Sequence, residues 1–285
     1  MRLRSLLFAP GDSERKIAKA LAGEADAVIL DLEDAVAPAA KAAARAGIAA
    51  LLPRLSRPGV IVRVNPEETP WHLADLAAVV PGRPAAILLP KCDGPEALVR
   101  LDQRLGAFEA TAGLAPRTIA VIALVTETAA SVQALGRYGP GQPRLLALSF
   151  GAEDLSADLG IRPRCAGGGF AQPVGVARGL TLIAAAAAGV PAIDTPFPDP
   201  RDPAGFAAVA AAAAADGFSG KYLIHPDQIA PAHAAFTPAP DRLRWARAVA
   251  ALFAANPGAG VLTLDGQMID RPHHKLALRI LAAAG

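Results

Sequence analysis

The chain has 285 residues, a length that fits one barrel-sized domain of about 250 residues with a modest C-terminal addition. Hydrophobic residues make up 53% of it and the mean hydropathy is +0.33. The longest apolar stretches, Leu180 to Val190 and Phe206 to Ala215, are nevertheless Ala-rich and fall short of the about 20 residues that a membrane helix requires. A formal charge of +2, with basic residues scattered except at Arg15, Lys16 and Lys19, leaves no footprint for nucleic acid. Two cysteines, Cys92 and Cys165, argue against a disulfide framework and for a reduced, cytoplasmic setting.

A strand pattern begins directly at Leu3, which leaves no expected room for a signal peptide. The apolar run Ser5 to Phe8 leads into Pro10-Gly11, and Asp12-Ser13-Glu14 opens a helix from Arg15 to Ala22. Ala27 to Leu30 is a second strand, ending in the acidic cluster Asp31, Glu33 and Asp34. Pro38 then opens a helix over Ala39 to Leu52 that Pro53 stops. Val60 to Val62 delivers Arg63, and Ala86 to Leu89 delivers Lys91 before a helix that runs from Gly94-Pro95-Glu96 to Gly113. Ile119 to Val125 delivers Glu127, with Thr128 as the cap of a helix from Ala129 to Leu135. Leu145 to Phe150 precedes Gly151-Ala152-Glu153-Asp154. Cys165 sits before the Gly167-Gly168-Gly169 loop. A helix follows from Pro173 to Ala188, stopped by Gly189. Pro191 to Ile193 gives Asp194, Asp202-Pro203 starts a helix to Ala215, and Tyr222 to Ile224 gives His225.

Eight strands separated by helices imply parallel pairing, because each parallel connection needs a crossover. The expected fold is an α/β (β/α)8 TIM barrel over residues 1–226, followed by a C-terminal helical extension over residues 227–285. That extension has helices at Asp227 to Ala235 and Asp241 to Ala255, a short strand at Val261 to Leu264, a turn at Asp265-Gly266 and a last helix from Pro272.

In such a barrel the chemistry lies at the C-terminal ends of the strands, where the polar residues of this chain fall. Glu127 and Asp154 follow consecutive strands and so meet at the rim. Two readings fit them: ligands of a hard cation of the Mg²⁺ type, completed by water and substrate oxygens, or caps of the helices that follow. No His or Cys spacing accompanies them, which disfavours zinc. Arg63 inside a buried strand implies an anion or carboxylate beside it, and one of Asp31, Glu33 and Asp34 is a candidate partner. Nothing near Lys91 depresses its pKa, which argues against Schiff-base chemistry. His225 reads as a positioning residue, His273 and His274 point to different helix faces, and Cys165 has no adjacent base.

The segments Ser5–Gly11, Asp31–Val36, Val62–Asn65, Leu89–Lys91, Gly151–Leu155, Gly220-Lys221, Leu223–Pro226 and Asp265–Asp270 together resemble the citrate lyase beta-subunit-like family of the HpcH/HpaI aldolase superfamily. The resemblance spans essentially the whole chain in order. It implies that Glu127 and Asp154 hold Mg²⁺, that Arg63 meets a substrate carbonyl or carboxylate, and that Arg15 and Lys19 meet the phosphates of a CoA thioester. It further implies that Asp270 is an acid/base residue supplied by a neighbouring subunit of a homotrimer or a multiple of trimers. One departure is Ala129, where relatives carry Pro, a change confined to the first turn of a helix. The implied reaction is Mg²⁺-dependent carbon–carbon cleavage of a malyl-, citramalyl- or citryl-CoA-type thioester. A thioesterase or condensing enzyme on the same scaffold, a lyase-complex subunit fed by an acyl carrier, and a catalytically silent scaffold are the alternatives. Retention of Arg63, Glu127, Asp154 and Asp270 argues against silence, and the cluster from Arg15 to Lys19 favours free CoA over a carrier arm.

Overall fold

A computed structural model describes residues 1–165 and 169–284, so Gly167 and Gly168 of the expected glycine loop lie outside the described residues. The chain divides into two compact units, Met1–Ala232 and His233–Gly285, where the sequence pattern places the division after residue 226. In chain order the first unit contains β1 (Ser5–Pro10), α1 (Glu14–Ala22), β2 (Ala27–Asp31), α2 (Lys41–Leu51), β3 (Val60–Arg63) and α3 (His72–Val79). It continues with β4 (Ala86–Leu89), α4 (Pro95–Thr111), β5 (Ala120–Leu124), α5 (Ala129–Ala134), β6 (Leu145–Ser149) and α6 (Glu153–Asp158). It closes with α7 (Gln172–Ala188), β7 (Ala192–Asp194), α8 (Pro203–Asp216) and β8 (Gly220–Leu223). The strands β1 to β8 form one closed barrel, paired in sequence order and parallel throughout, with β8 returning to β1.

Local signals account for most element ends. Thr128 accepts from the Ser131 N–H in a capping box that starts α5, and Asp202 accepts from Gly205 N to start α8. Gly189 ends α7 at φ 76°, a left-handed conformation that glycine adopts without Cβ strain. The helix expected over Ala39 to Leu52 is shorter than that, because Pro53 falls in a tight 3₁₀ turn at Leu52–Arg54.

Side-chain parity along the strands separates two environments. Leu6, Ile29, Ile61, Leu88, Ile122, Ala147, Ile193 and Tyr222 fill the barrel interior, every one essentially inaccessible. Two positions on from Ile29 and Ile61, Asp31 and Arg63 therefore point inward too, towards the C-terminal mouth. Asp194 and Lys221, one position away from inward-facing Ile193 and Tyr222, point outward to the helices.

The second unit is described by itself. The division falls inside α9 (Ile229–Phe236), and beyond it come α10 (Pro240–Ala255), β9 (Val261–Leu264), β10 (Gln267–Asp270) and α11 (Arg271–Ala284). Strands β9 and β10 form an antiparallel hairpin around Asp265-Gly266, so a second strand occupies the stretch expected to lead straight from that turn into the last helix. Ala246, Val249 and Phe253 of α10 pack with Ile269 of β10 and with Ala277 and Ile280 of α11 as a small core. Among the described residues no helix is long and apolar enough to cross a membrane.

The outward pair gives a stability prediction. Asp194 and Lys221 are both wholly buried, with Lys221 Nζ 2.6 Å from Asp194 Oδ2 and Arg178 Nε 2.9 Å from Asp194 Oδ1. Burial pulls the Lys221 ammonium below its usual pKa, against the attraction of Asp194. Asp194→Ala strands the buried Lys221 ammonium, while Arg178 keeps Asp216 at 2.6 Å, and should cost about 3–5 kcal/mol in urea unfolding. Lys221→Met leaves Asp194 paired with Arg178 and should cost much less. Equal losses in the two variants would contradict this account.

Candidate active site

The sheet register itself assembles the mouth of the barrel. Asp31 and Arg63 are register partners on β2 and β3, so their side chains leave the same face side by side. Arg63 grips Asp31 through two charged hydrogen bonds, Nε to Oδ1 and Nη2 to Oδ2, both 2.7 Å. Its Nη1 lies 2.8 Å from Glu33 Oε2 and 3.9 Å from Asp34. Two members of the acidic cluster, not one, thus hold the arginine. Its guanidinium also lies over the Phe8 ring, 4.8 Å from the centroid. Burial works against the Arg63 charge, but Asp31 and Glu33 more than offset it and hold its pKa above the ordinary value.

Glu127 is buried just beyond β5. Its Oε2 accepts the Lys91 backbone N–H, while its Oε1 is buried with no hydrogen-bond partner. The helix after it is capped by Thr128, so the cap reading fails for Glu127. Burial pushes its carboxyl up to about 8, and the nearby charges of Asp154 and Glu33 add to the rise. The ends of β5 and β6 are stitched together by Thr126, whose Oγ1 accepts from Gly151 N at 2.9 Å and donates to Gly151 O at 3.2 Å. A Cβ on Gly151 would sit 3.2 Å from Glu127 Cγ, so a residue without a side chain keeps room for this carboxylate. Asp154 lies in the first turn of α6, where acidic residues also favour the helix dipole.

A cleft of about 760 Å³ opens here, a volume typical of small-molecule sites. Arg63, Glu127 and Asp154 line it together with Arg15, Lys16 and Lys19 of α1. Arg15 and Lys19 are one helical turn apart and exposed, and among the described residues no carboxylate pairs with either. The floor carries Tyr222, whose hydroxyl donates to Ser149 Oγ at 2.8 Å.

The donor set fits a divalent cation of the magnesium type. Burial, with Asp154 and Glu33 adding to it, disfavours the Glu127 charge beyond what the Lys91 N–H and ammonium offset, and its unpartnered buried oxygen leaves a donor free for a cation. Among the described residues no three His, Cys, Asp or Glu side chains converge. Two carboxylates suit Mg²⁺, which keeps water and substrate oxygens in its shell, and do not suit zinc.

A scan against family models matches residues 4–226 to the HpcH/HpaI aldolase/citrate lyase family. The chain belongs to that family. It is 34% identical to the mitochondrial citramalyl-CoA lyase of Rattus norvegicus, over 99% of this chain and 86% of the relative. It is 36% identical to the (3S)-malyl-CoA thioesterase of Cereibacter sphaeroides, over 99% of this chain and 94% of the relative. Among solved structures it resembles protein CitE from Mycobacterium tuberculosis in complex with magnesium, acetoacetate and coenzyme A. The TM-score is 0.77 at 33% identity, covering 100% of this chain and 98% of that one.

The remaining candidates of the family pattern are dispersed. His225 lines the cleft, and its Nδ1 accepts from Asp227 N to cap a 3₁₀ turn, a positioning role. Lys91 pairs with Glu33 at 2.7 Å. Burial opposes its charge, but Glu33 and Glu127 lift its pKa, so it stays an ammonium and not an imine-forming amine. Asp270 belongs to the second unit, at the end of β10. There its Oδ1 lies 2.5 Å from His273 Nδ1 and accepts the His273 N–H, and His273 keeps its pKa below the usual range. His274 instead stacks on Phe253, so the adjacent histidines do face different ways. Cys165 is exposed.

Sequence reasoning overlooked a support beneath the acidic loop. Buried Lys41 donates to the carbonyls of Leu32 and Glu33, both at 2.9 Å, and to Asn65 Oδ1 at 2.6 Å. A lone lysine in an Ala-rich helix gives no sign of this, because its partners are two main-chain carbonyls and an asparagine side chain from other segments.

Glu127→Ala and Asp154→Ala should each abolish Mg²⁺ binding in calorimetry while leaving the far-UV spectrum of the folded protein intact. Normal Mg²⁺ affinity in the Glu127→Ala protein would remove this pair from consideration.

Proposed function

We propose that the chain is a Mg²⁺-dependent carbon–carbon lyase that cleaves a β-hydroxyacyl-CoA thioester of the malyl-, citramalyl- or citryl-CoA type into an acyl-CoA and a 2-oxo acid. The observation that carries this reading is the convergence, in one cleft, of two carboxylates with an unpartnered buried oxygen, an immobilised arginine and the basic residues of α1. The cited lyase and the magnesium- and coenzyme A-bound CitE support the same assignment.

Cleavage must develop negative charge twice, on the carbonyl oxygen of the departing 2-oxo acid and on the enolate of the acyl-CoA. Mg²⁺ held by Glu127 and Asp154 would supply Lewis-acid polarisation of the oxo-acid oxygens. Arg63 contributes donors that need no reorganisation. Asp31 occupies Nε and one N–H of Nη2, and Glu33 faces Nη1, which leaves N–H groups on both terminal nitrogens for substrate oxygens. Arg15 and Lys19 meet the CoA phosphates at the rim, with Lys16 beside them. A carboxylate base takes the hydroxyl proton as the carbon–carbon bond breaks, the bond's electrons pass into the acyl-CoA enolate, and the same carboxyl returns the proton to the thioester α-carbon. With Glu127 and Asp154 given to the cation, Asp270 takes that role, delivered by a neighbouring copy in a homotrimer or multiple of trimers. The setting is cytoplasmic.

The relative named as a thioesterase supports a second outcome on the same scaffold, hydrolysis of the thioester. Incubation with Mg²⁺ and malyl-CoA, citramalyl-CoA or citryl-CoA separates the two: a 2-oxo acid marks the lyase, and free CoA without oxo acid marks the hydrolase. On the substrate that is cleaved, Arg63→Lys should lose most of the rate, because lysine keeps the charge but cannot hold Asp31 with two bonds while donating onward. A near wild-type kcat/KM in that variant would make Arg63 a structural ion pair only.

Donation in trans is tested by mixing. Asp270→Ala and Glu127→Ala should each be nearly inactive alone. When co-assembled they should recover activity, because a site with its own Glu127 can borrow Asp270 from the adjacent chain. Mixed oligomers that form by mass spectrometry yet stay inactive would rule the donation out.

A further inference from the structure

Lys91 touches Glu127 and Asp154 on one side and Glu33, which faces Arg63, on the other, and nothing in the reaction above uses it. It follows β4 in a left-handed conformation, φ 49°, which a residue bearing a Cβ rarely adopts. The consequence of that backbone is specific: the Lys91 N–H points at Oε2 of Glu127. Its side chain runs the other way round the mouth. The Nζ donates to Glu33 Oε1 at 2.7 Å, and the other oxygen of Glu33 lies 2.8 Å from Arg63 Nη1. The same Nζ is 3.6 Å from Asp154 Oδ1.

These contacts pull in opposite directions. By fixing Glu33, the ammonium fixes a carboxylate that braces Arg63, which favours turnover through a preorganised donor. By standing beside Asp154, it sets a permanent positive charge against one of the two carboxylates that would hold the cation, which weakens cation binding. We propose that Lys91 is a positioning residue of this active site, whose main chain aims Glu127 and whose ammonium locks Glu33 against Arg63 while opposing divalent-cation binding at Asp154. This rests on the functional reading above, and it predicts that affinity for the cation and rate of cleavage move in opposite senses.

Lys91→Met keeps an unbranched stem and the same backbone demand but removes the charge. In calorimetry without substrate it should bind Mg²⁺ about tenfold more tightly than wild type, since a like charge near a partly exposed carboxylate is lost. At saturating Mg²⁺, with whichever of malyl-CoA, citramalyl-CoA and citryl-CoA the wild type cleaves, its kcat should fall by about tenfold or more. Lys91→Gln keeps a donor for Glu33 without the charge, so it should retain the tighter Mg²⁺ binding and recover part of the lost kcat. Should Lys91→Met fail to fold, the Gln variant carries both measurements. Unchanged or weaker Mg²⁺ binding overturns the opposing charge, and unchanged kcat overturns the bracing of Glu33. A fall in both quantities marks general damage and overturns the proposal as a whole. A wild-type protein that binds no Mg²⁺ or cleaves none of these thioesters sinks the functional reading itself, which keeps the two failures apart.

Discussion

The pairing of Asp31 with Arg63 is the constraint on which the rest of the mouth depends. Arginine at the end of a buried parallel strand is tolerable only beside an anion, and the hydrogen-bond register of β2 with β3 delivers one at the neighbouring position. Once the guanidinium is fixed, Glu33 is drawn in by it and by Lys91. The main chain of Lys91 in turn reaches Glu127 across β4 and β5. Lys41 secures the loop from below by capturing the Leu32 and Glu33 carbonyls. Four strand ends are thereby tied into one charged network around a single arginine. Elements that are far apart in sequence depend on each other here.

Much of this was legible in the chain and some was not, for definite reasons. The alternation of short apolar runs with Ala-rich segments is a strong signal because a parallel barrel buries both faces of each strand, leaving continuous apolar runs that end abruptly at the rim. That is why Arg63, Glu127 and Asp154 stood out at strand ends. The Thr128 and Asp202 caps and the Gly189 stop were visible for the same kind of local reason. Strand β10 was not, since Gln267–Asp270 is four residues long with only Ile269 buried, and its partner β9 is as short. The distinction between a capping Glu127 and a buried one with a single unpartnered oxygen was also invisible, because it depends on where Lys91 directs one N–H.

The comparisons and the geometry constrain different things. Family membership rests on a match over residues 4–226 and explains why a barrel with this rim exists. Relatives of similar identity carry both lyase and thioesterase names, so likeness alone does not choose between breaking a carbon–carbon bond and breaking a thioester.

The parity of the strands has a consequence for how this protein can change over time. At β2 and β3 a register pair of opposite charge, Asp31 with Arg63, lines the cleft at the mouth of the barrel. At β7 and β8 another register pair, Asp194 with Lys221, faces the helices. One faces the cleft and the other packs under the helices, on opposite sides of the barrel wall. Substitutions in the outer layer therefore do not remove any of the side chains that face the cleft. A lineage carrying this chain can accumulate tolerance in its shell and then use that reserve to try new rims, exploring substrates without first losing the scaffold.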